Sequence, residues 1–127
     1  MSLKKPRQKL SKATLKKKLD VLFSKVVRNI GECERCGKKT NLQCCHINSR
    51  RFLHTRWDQL NALCLCAGCH FWSHQHPRAF GMFVNKYYGE GTMDQIDKLS
   101  NSIEPISLEQ MMNIYQDLKV QLDNFEE

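Results

Sequence analysis

The chain has 127 residues, 41% of them hydrophobic, with 20 Lys or Arg against 13 Asp or Glu and a formal net charge of +7. That length provides one small domain with arms rather than two domains, and the basic balance favours a phosphate-bearing partner. No apolar run is long enough to cross a membrane, and seven cysteines, an odd number with no signal peptide before them, argue against a secreted disulfide scaffold. A cytoplasmic protein with reduced thiols is expected.

The charge is unevenly spread. Residues 1–31 carry ten basic groups against one acidic, +9; residues 32–80 carry seven against three, +4; residues 81–127 carry three against nine, −6. These limits also divide the chain by content, into a basic N-terminal arm, a cysteine- and histidine-rich centre, and an acidic C-terminal region.

Met1 to Lys9, interrupted by Pro6, reads as an extended basic lead. From Leu15 the apolar residues Leu15, Leu19, Leu22, Phe23, Val26, Val27 and Ile30 recur at helical spacing, with Ser11 as N-cap and Gly31 as stop. Lys12, Lys16 and Lys17 fall largely off that stripe and suit phosphate contact. After the turn at Lys38-Lys39-Thr40-Asn41, the run Leu42-Gln43-Cys44-Cys45 suits a strand ending at His46. The insert that follows carries Arg50, Arg51 and Arg56, which can dock a phosphate. Pro77 fits the first turn of a helix with Phe80, Phe83, Val84 and Tyr87 on one side, ending near Gly89. A short helix runs from Thr92 to about Leu99. A last one opens at Ser107 with Gln110 in the capping-box position, and bears Leu108, Met111, Met112, Tyr115, Leu118, Leu122 and Phe125. Unless that helix folds back, its stripe would seek a second copy, giving a homodimer.

The chemistry lies in the centre. Cys33-Glu-Arg-Cys36 and Cys66-Ala-Gly-Cys69 are two pairs of the spacing that lets both thiolates reach one ion, and together they supply the four-sulfur shell of structural zinc. Two disulfides or a redox pair are the alternatives. Cys44 and Cys64 read as small apolar core residues. His46 is followed after fourteen residues by Asn61, and Asn61 after eight by His70, directly behind the last cysteine of the second pair. A helix opening at that pair puts His70 and His74 at i and i+4 on one face. His54 and His76 carry no assigned role.

In Cys33-x2-Cys36, Cys45-His46-Ile47 and Asn61-x4-Cys66-x2-Cys69-His70 the chain resembles the HNH, or ββα-metal, endonucleases in their zinc-ribbon form. The likeness covers Cys33 to about His76. Ile47-Asn48-Ser49-Arg50-Arg51 is also similar to phage recombination endonucleases of the NinG/Rap type, encoded in a bacterial host. The resemblance implies an α+β fold: a small ββα-metal, treble-clef-like core with a four-cysteine zinc, flanked by N- and C-terminal helices. It implies DNA phosphodiester hydrolysis with His46 as general base, Asn61 orienting the base's loop or joining the metal shell, and His70 binding a catalytic ion such as Mg²⁺ or Mn²⁺. His74 is a further candidate ligand. Cys45 departs from the family, which has Asp or His as a ligand there; a thiolate suits zinc better than magnesium. That departure leaves open a non-catalytic zinc-ribbon DNA-binding module, or a zinc adaptor for proteins. In the first two readings the partner is DNA, met mainly at its backbone, with no membrane.

Overall fold

The computed structural model describes residues 11–125, and the basic lead expected over Met1 to Lys9 lies outside them. The architecture is α+β. It comprises α1 (Lys12–Arg28), β1 (Leu42–His46), α2 (Leu53–Arg56), a 3-10 turn (Gln59–Asn61), β2 (Ala62–Cys66), α3 (Ala67–Gln75), α4 (Pro77–Tyr88), α5 (Thr92–Ser100) and α6 (Leu108–Phe125). Among the described residues no helix is long and apolar enough to cross a membrane.

β1 and β2 form an antiparallel hairpin in which Cys44 faces Cys64 and His46 faces Ala62. Helices cover both of its faces. On one side α1 buries Leu15, Leu19, Leu22, Phe23, Val26 and Val27 with Ala62, Cys64 and Trp57. On the other, Cys45, Leu63 and Leu65 pack with Phe80 and Val84 of α4 and Ile96 of α5. A strand sandwiched in this way has no solvent face, so all five residues of β2 are buried and its sequence shows no polar alternation.

The caps expected from sequence form. The Ser11 hydroxyl accepts from the Thr14 amide at 3.1 Å. Pro77 opens α4 and Gly89 closes it at φ 125°. Ser107 and Gln110 exchange reciprocal side-chain to backbone bonds of 2.8 and 3.0 Å, each filling an amide left over at the start of α6. The stripe of α1 stops sooner than its periodicity suggests: the helix ends at Arg28 with Asn29 as cap, leaving Ile30 46% exposed. α6 folds back along α1, burying Met111 and Leu118 there, with Met112, Tyr115 and Leu122 packed alongside. Its stripe is therefore used largely within the chain, with Leu108 and Phe125 left exposed at its two ends.

The segment after α1 is a tight knuckle. The Cys33 amide donates to the Lys38 carbonyl at 2.7 Å and the Gly37 amide to the Cys33 carbonyl at 2.8 Å, with Gly37 at φ 82°, a conformation glycine takes without a Cβ clash. The knuckle then docks on β2, where the Glu34 amide donates to the Cys64 carbonyl and the Glu34 carboxylate accepts from the Cys64 amide, both at 2.8 Å.

Candidate functional site

Docking the knuckle on β2 brings the two cysteine pairs together. Cys33 and Cys36 come from the knuckle, Cys66 ends β2, and Cys69 lies in the first turn of α3. The sulfurs of these four all lie within 4.8 Å of one another, and Cys36 Sγ to Cys66 Sγ is 3.6 Å. A tetrahedral ion with sulfur about 2.3 Å away needs sulfur–sulfur separations of roughly 3.8 Å, so the four cysteines can hold a metal such as zinc. Burial would raise the Cys33 thiol, but bonds from neighbouring amides overcome it and bring the group down to about 6. Cys69 is pushed up to about 12 by burial and by the other three sulfurs, against a bond from Arg35. Crowding thus opposes the loss of the Cys69 proton; a divalent cation among the four sulfurs would favour the thiolate. Arg35 also lies over the Trp72 ring, 3.5 Å from its centre, so one side chain braces both the cluster and α3.

A second assembly lies where α1, β1 and α3 meet. There a cleft of about 590 Å³ is lined by His46, His70 and His74 together with Asp20, Arg50 and Cys44. His70 and His74, one turn apart on α3, have ring centres 5.0 Å apart. His46 ends β1 with its ring 5.5 Å from that of Phe23, and its Nε2 is 2.8 Å from the Arg56 carbonyl. A carbonyl only accepts, so Nε2 carries the proton and donates, leaving Nδ1 with a free lone pair. Burial lowers the His46 pKa below 6.5, with the Arg56 carbonyl working in the opposite direction. The His70 pKa is lowered by burial and then by His74 and His46. Both shifts favour the neutral ring, the form a proton acceptor or a metal ligand needs.

Asn61 is brought next to this site but not into the cleft. It is fully buried; its Oδ1 accepts from the Asn48 amide at 2.7 Å, while its Nδ2 donates to the Thr55 and Asn48 carbonyls at 3.0 and 3.1 Å. Those bonds close residues 48–55 into a fixed loop, directly before the Arg56 carbonyl that holds His46. Fully buried and bonded in this way, Asn61 ties the loop together and does not line the cleft.

Cys45 is placed away from the cleft. Adjacent residues of a strand point to opposite faces. Cys45 therefore faces α3, buried, with Sγ 3.5 Å from Ser73 Oγ, while its neighbours Cys44 and His46 reach the cleft. The Cys44 thiol is pushed up to about 12 by burial and by the nearby Cys45 and Cys64, and so stays protonated.

The basic residues separate into used and available. Arg56 is pinned by Asp20 at 3.0 and 2.7 Å, and Trp57 donates to the same carboxylate at 2.9 Å. Arg50 also meets Asp20, at 2.6 Å, but its side chain is 55% exposed at the mouth of the cleft. Burial would raise the Asp20 carboxyl, yet the bonds from Arg56 and Trp57 and the charges of Arg56 and Arg50 hold it below the usual value. Arg51 rests over Phe52, 4.6 Å from the ring centre. Lys12 is committed to the Ile106 carbonyl at 3.2 Å and Lys16 is half-buried, whereas Lys17 is exposed. His54 bonds the Glu104 carbonyl, and His76 joins α3 to α4, bonding the Trp72 and Phe80 backbones; neither reaches the cleft.

Sequence reasoning missed Asp20, a lone acid in a basic helix, which proves to be the hub for Arg50, Arg56 and Trp57. It also missed Gln43, whose Oε1 lies 2.7 Å from His70 Nδ1. The only trace of Asp20 in the sequence is its position off the apolar stripe, which does not distinguish it from a solvated charge. Comparison with protein families, curated proteins and solved structures returns no match.

Proposed function

We propose that this chain is a metal-dependent DNA endonuclease of the HNH kind, with β1, β2 and α3 as its ββα centre and a structural zinc on Cys33, Cys36, Cys66 and Cys69. The observation that carries the reading is the meeting of His46, His70 and His74 in one cleft, with Asn61 fixing the loop behind His46. In this reading Nδ1 of His46 takes the proton from the attacking water, and the Arg56 carbonyl bonded to Nε2 stabilises the imidazolium that forms. Arg50, exchanging Asp20 for substrate, holds the phosphate.

His70 and His74 are the residues that would hold the catalytic cation. Among the described residues the four cysteines are the one group of three or more Cys, His, Asp or Glu donors gathered within 4.8 Å; the cleft itself offers two histidines, with room for water and a substrate phosphate. A divalent cation bound there supplies stabilisation of charge on the phosphorane and the leaving oxygen. The exposed Lys17, Lys18 and Lys25 of α1, set along the groove between α1 and α6, support backbone contact with DNA beside the cleft rather than in it.

The test is cleavage of supercoiled plasmid by wild type and His46→Ala, both checked for zinc, with Mg²⁺, Mn²⁺, Ni²⁺ or Zn²⁺ added. Relaxed or linear product from wild type alone is expected. One observation favours a second reading, a zinc-stabilised DNA-binding module without catalysis: Cys45, where the family places a metal ligand, is turned into the core. Plasmid binding without cleavage by either protein, on plasmid and on branched DNA, would decide for it.

A further inference from the structure

We infer that Gln43 is a positioning residue for cation binding in the histidine cleft: its amide oxygen fixes the His70 tautomer so that the ring presents a bare Nε2 beside His74. This rests on the proposed reading of the cleft and adds to it the group that prepares the site.

The alternation of β1 puts Gln43 on the same face as Cys45, toward α3, while Cys44 and His46 face α1. From there its Oε1 reaches His70 Nδ1 at 2.7 Å. An amide oxygen only accepts, so Nδ1 is the donor, and a neutral imidazole has one N–H to give. Nε2 is left with its lone pair free, on a residue that lines the cleft. His74 lies one helical turn on, its ring centre 5.0 Å away. Two neighbouring imidazoles, one of them locked with Nε2 free, form a partial shell suited to a borderline divalent cation such as Zn²⁺. The acceptor is a neutral amide, so it sets the tautomer without adding an anion beside the ring. Gln43 is exposed, and its replacement does not disturb the core.

Two readouts on the zinc-loaded protein test this. Long-range ¹H–¹⁵N correlation, at a pH where the ring is neutral, reads the His70 tautomer. Calorimetry reads the uptake of Zn²⁺ beyond the first equivalent held by the cysteines. Wild type and Gln43→Glu, which keeps the acceptor, should show the Nδ1–H form and bind the second ion. Gln43→Leu should show a mixture of tautomers and bind that ion about 10- to 100-fold more weakly, with the first equivalent unchanged. An Nε2–H form in wild type overturns the inference. So does a Gln43→Leu variant that binds the second ion as wild type does. If that variant binds normally while wild type cleaves plasmid, the positioning role is lost and the nuclease stands. If wild type neither takes a second ion nor cleaves, both are lost.

Discussion

The cysteine cluster and the histidine cleft share the hairpin and α3, yet their residues are held in opposite ways. The cysteines are set in tight backbone turns at both ends of a docked edge, and three of the four are buried. The histidines remain accessible from the cleft, and two of them are aimed by single hydrogen bonds, His46 to the Arg56 carbonyl and His70 to Gln43. In the proposed reading, one region holds the fold together and the other holds chemistry in place. Damage to the first should unfold the protein, and damage to the second should disarm it.

If the cysteines hold the proposed zinc, the largest effect expected follows its removal. Chelation, or Cys66→Ser, should abolish cooperative folding, because structural zinc contributes on the order of 10 kcal/mol to domains of this kind; circular dichroism with zinc analysis reads it, and a Cys66→Ser protein that melts like wild type would break the comparison. Asn61→Ala should come next, since it strips partners from the Asn48 amide and the Thr55 carbonyl inside the fold, at about 2–4 kcal/mol in urea unfolding. Zinc content should be kept while cleavage falls, separating this variant from the cysteine ones.

Asp20→Ala should cost about 1–3 kcal/mol by leaving Arg56 and Trp57 without their acceptor. Its pH dependence is diagnostic. Because the folded carboxyl sits below its ordinary 3.8, wild type should keep this stabilisation above that pH and lose it as pH falls through the folded value. The variant should lack that slope; equal slopes in acid melting curves would remove Asp20 as a hub. The smallest change concerns His46. Its neutral form must accept the proton, and burial lowers its pKa, so the acid limb of the cleavage rate should reach half-maximum below pH 6.5. A midpoint above that value would argue against a desolvated base.

The helices of this fold were largely legible in the sequence because their ends carry their own chemistry: the Ser11 hydroxyl, Pro77, Gly89 and the Ser107–Gln110 pair each act on the nearest turn. α2 and β2 were not. α2 is a single turn whose preceding residue, Phe52, offers no capping side chain, and β2 is covered on both faces, so it has no alternation to read. The cysteine pairs and the His46, Asn61, His70 spacing picked out residues that the fold brings into two neighbouring groups. What spacing could not convey was direction: Cys44 and Cys45 are neighbours, and only pairing with β2 decides which faces the cleft. Asp20 and Gln43 were invisible because their partners are remote in sequence, 30 and 36 residues on for Arg50 and Arg56, and 27 for His70.

Glu34 gives the hairpin a further property. A sheet of two strands has two outer edges, and each is a template on which another chain can add a strand and start aggregation. On the β2 side, Glu34 fills part of that template with one residue, its amide bonded to the Cys64 carbonyl and its carboxylate to the Cys64 amide. Tyr87 braces it from α4 through a 3.0 Å bond to the other carboxylate oxygen. One residue, by its amide and its carboxylate, thus occupies the part of this edge where a third strand would pair.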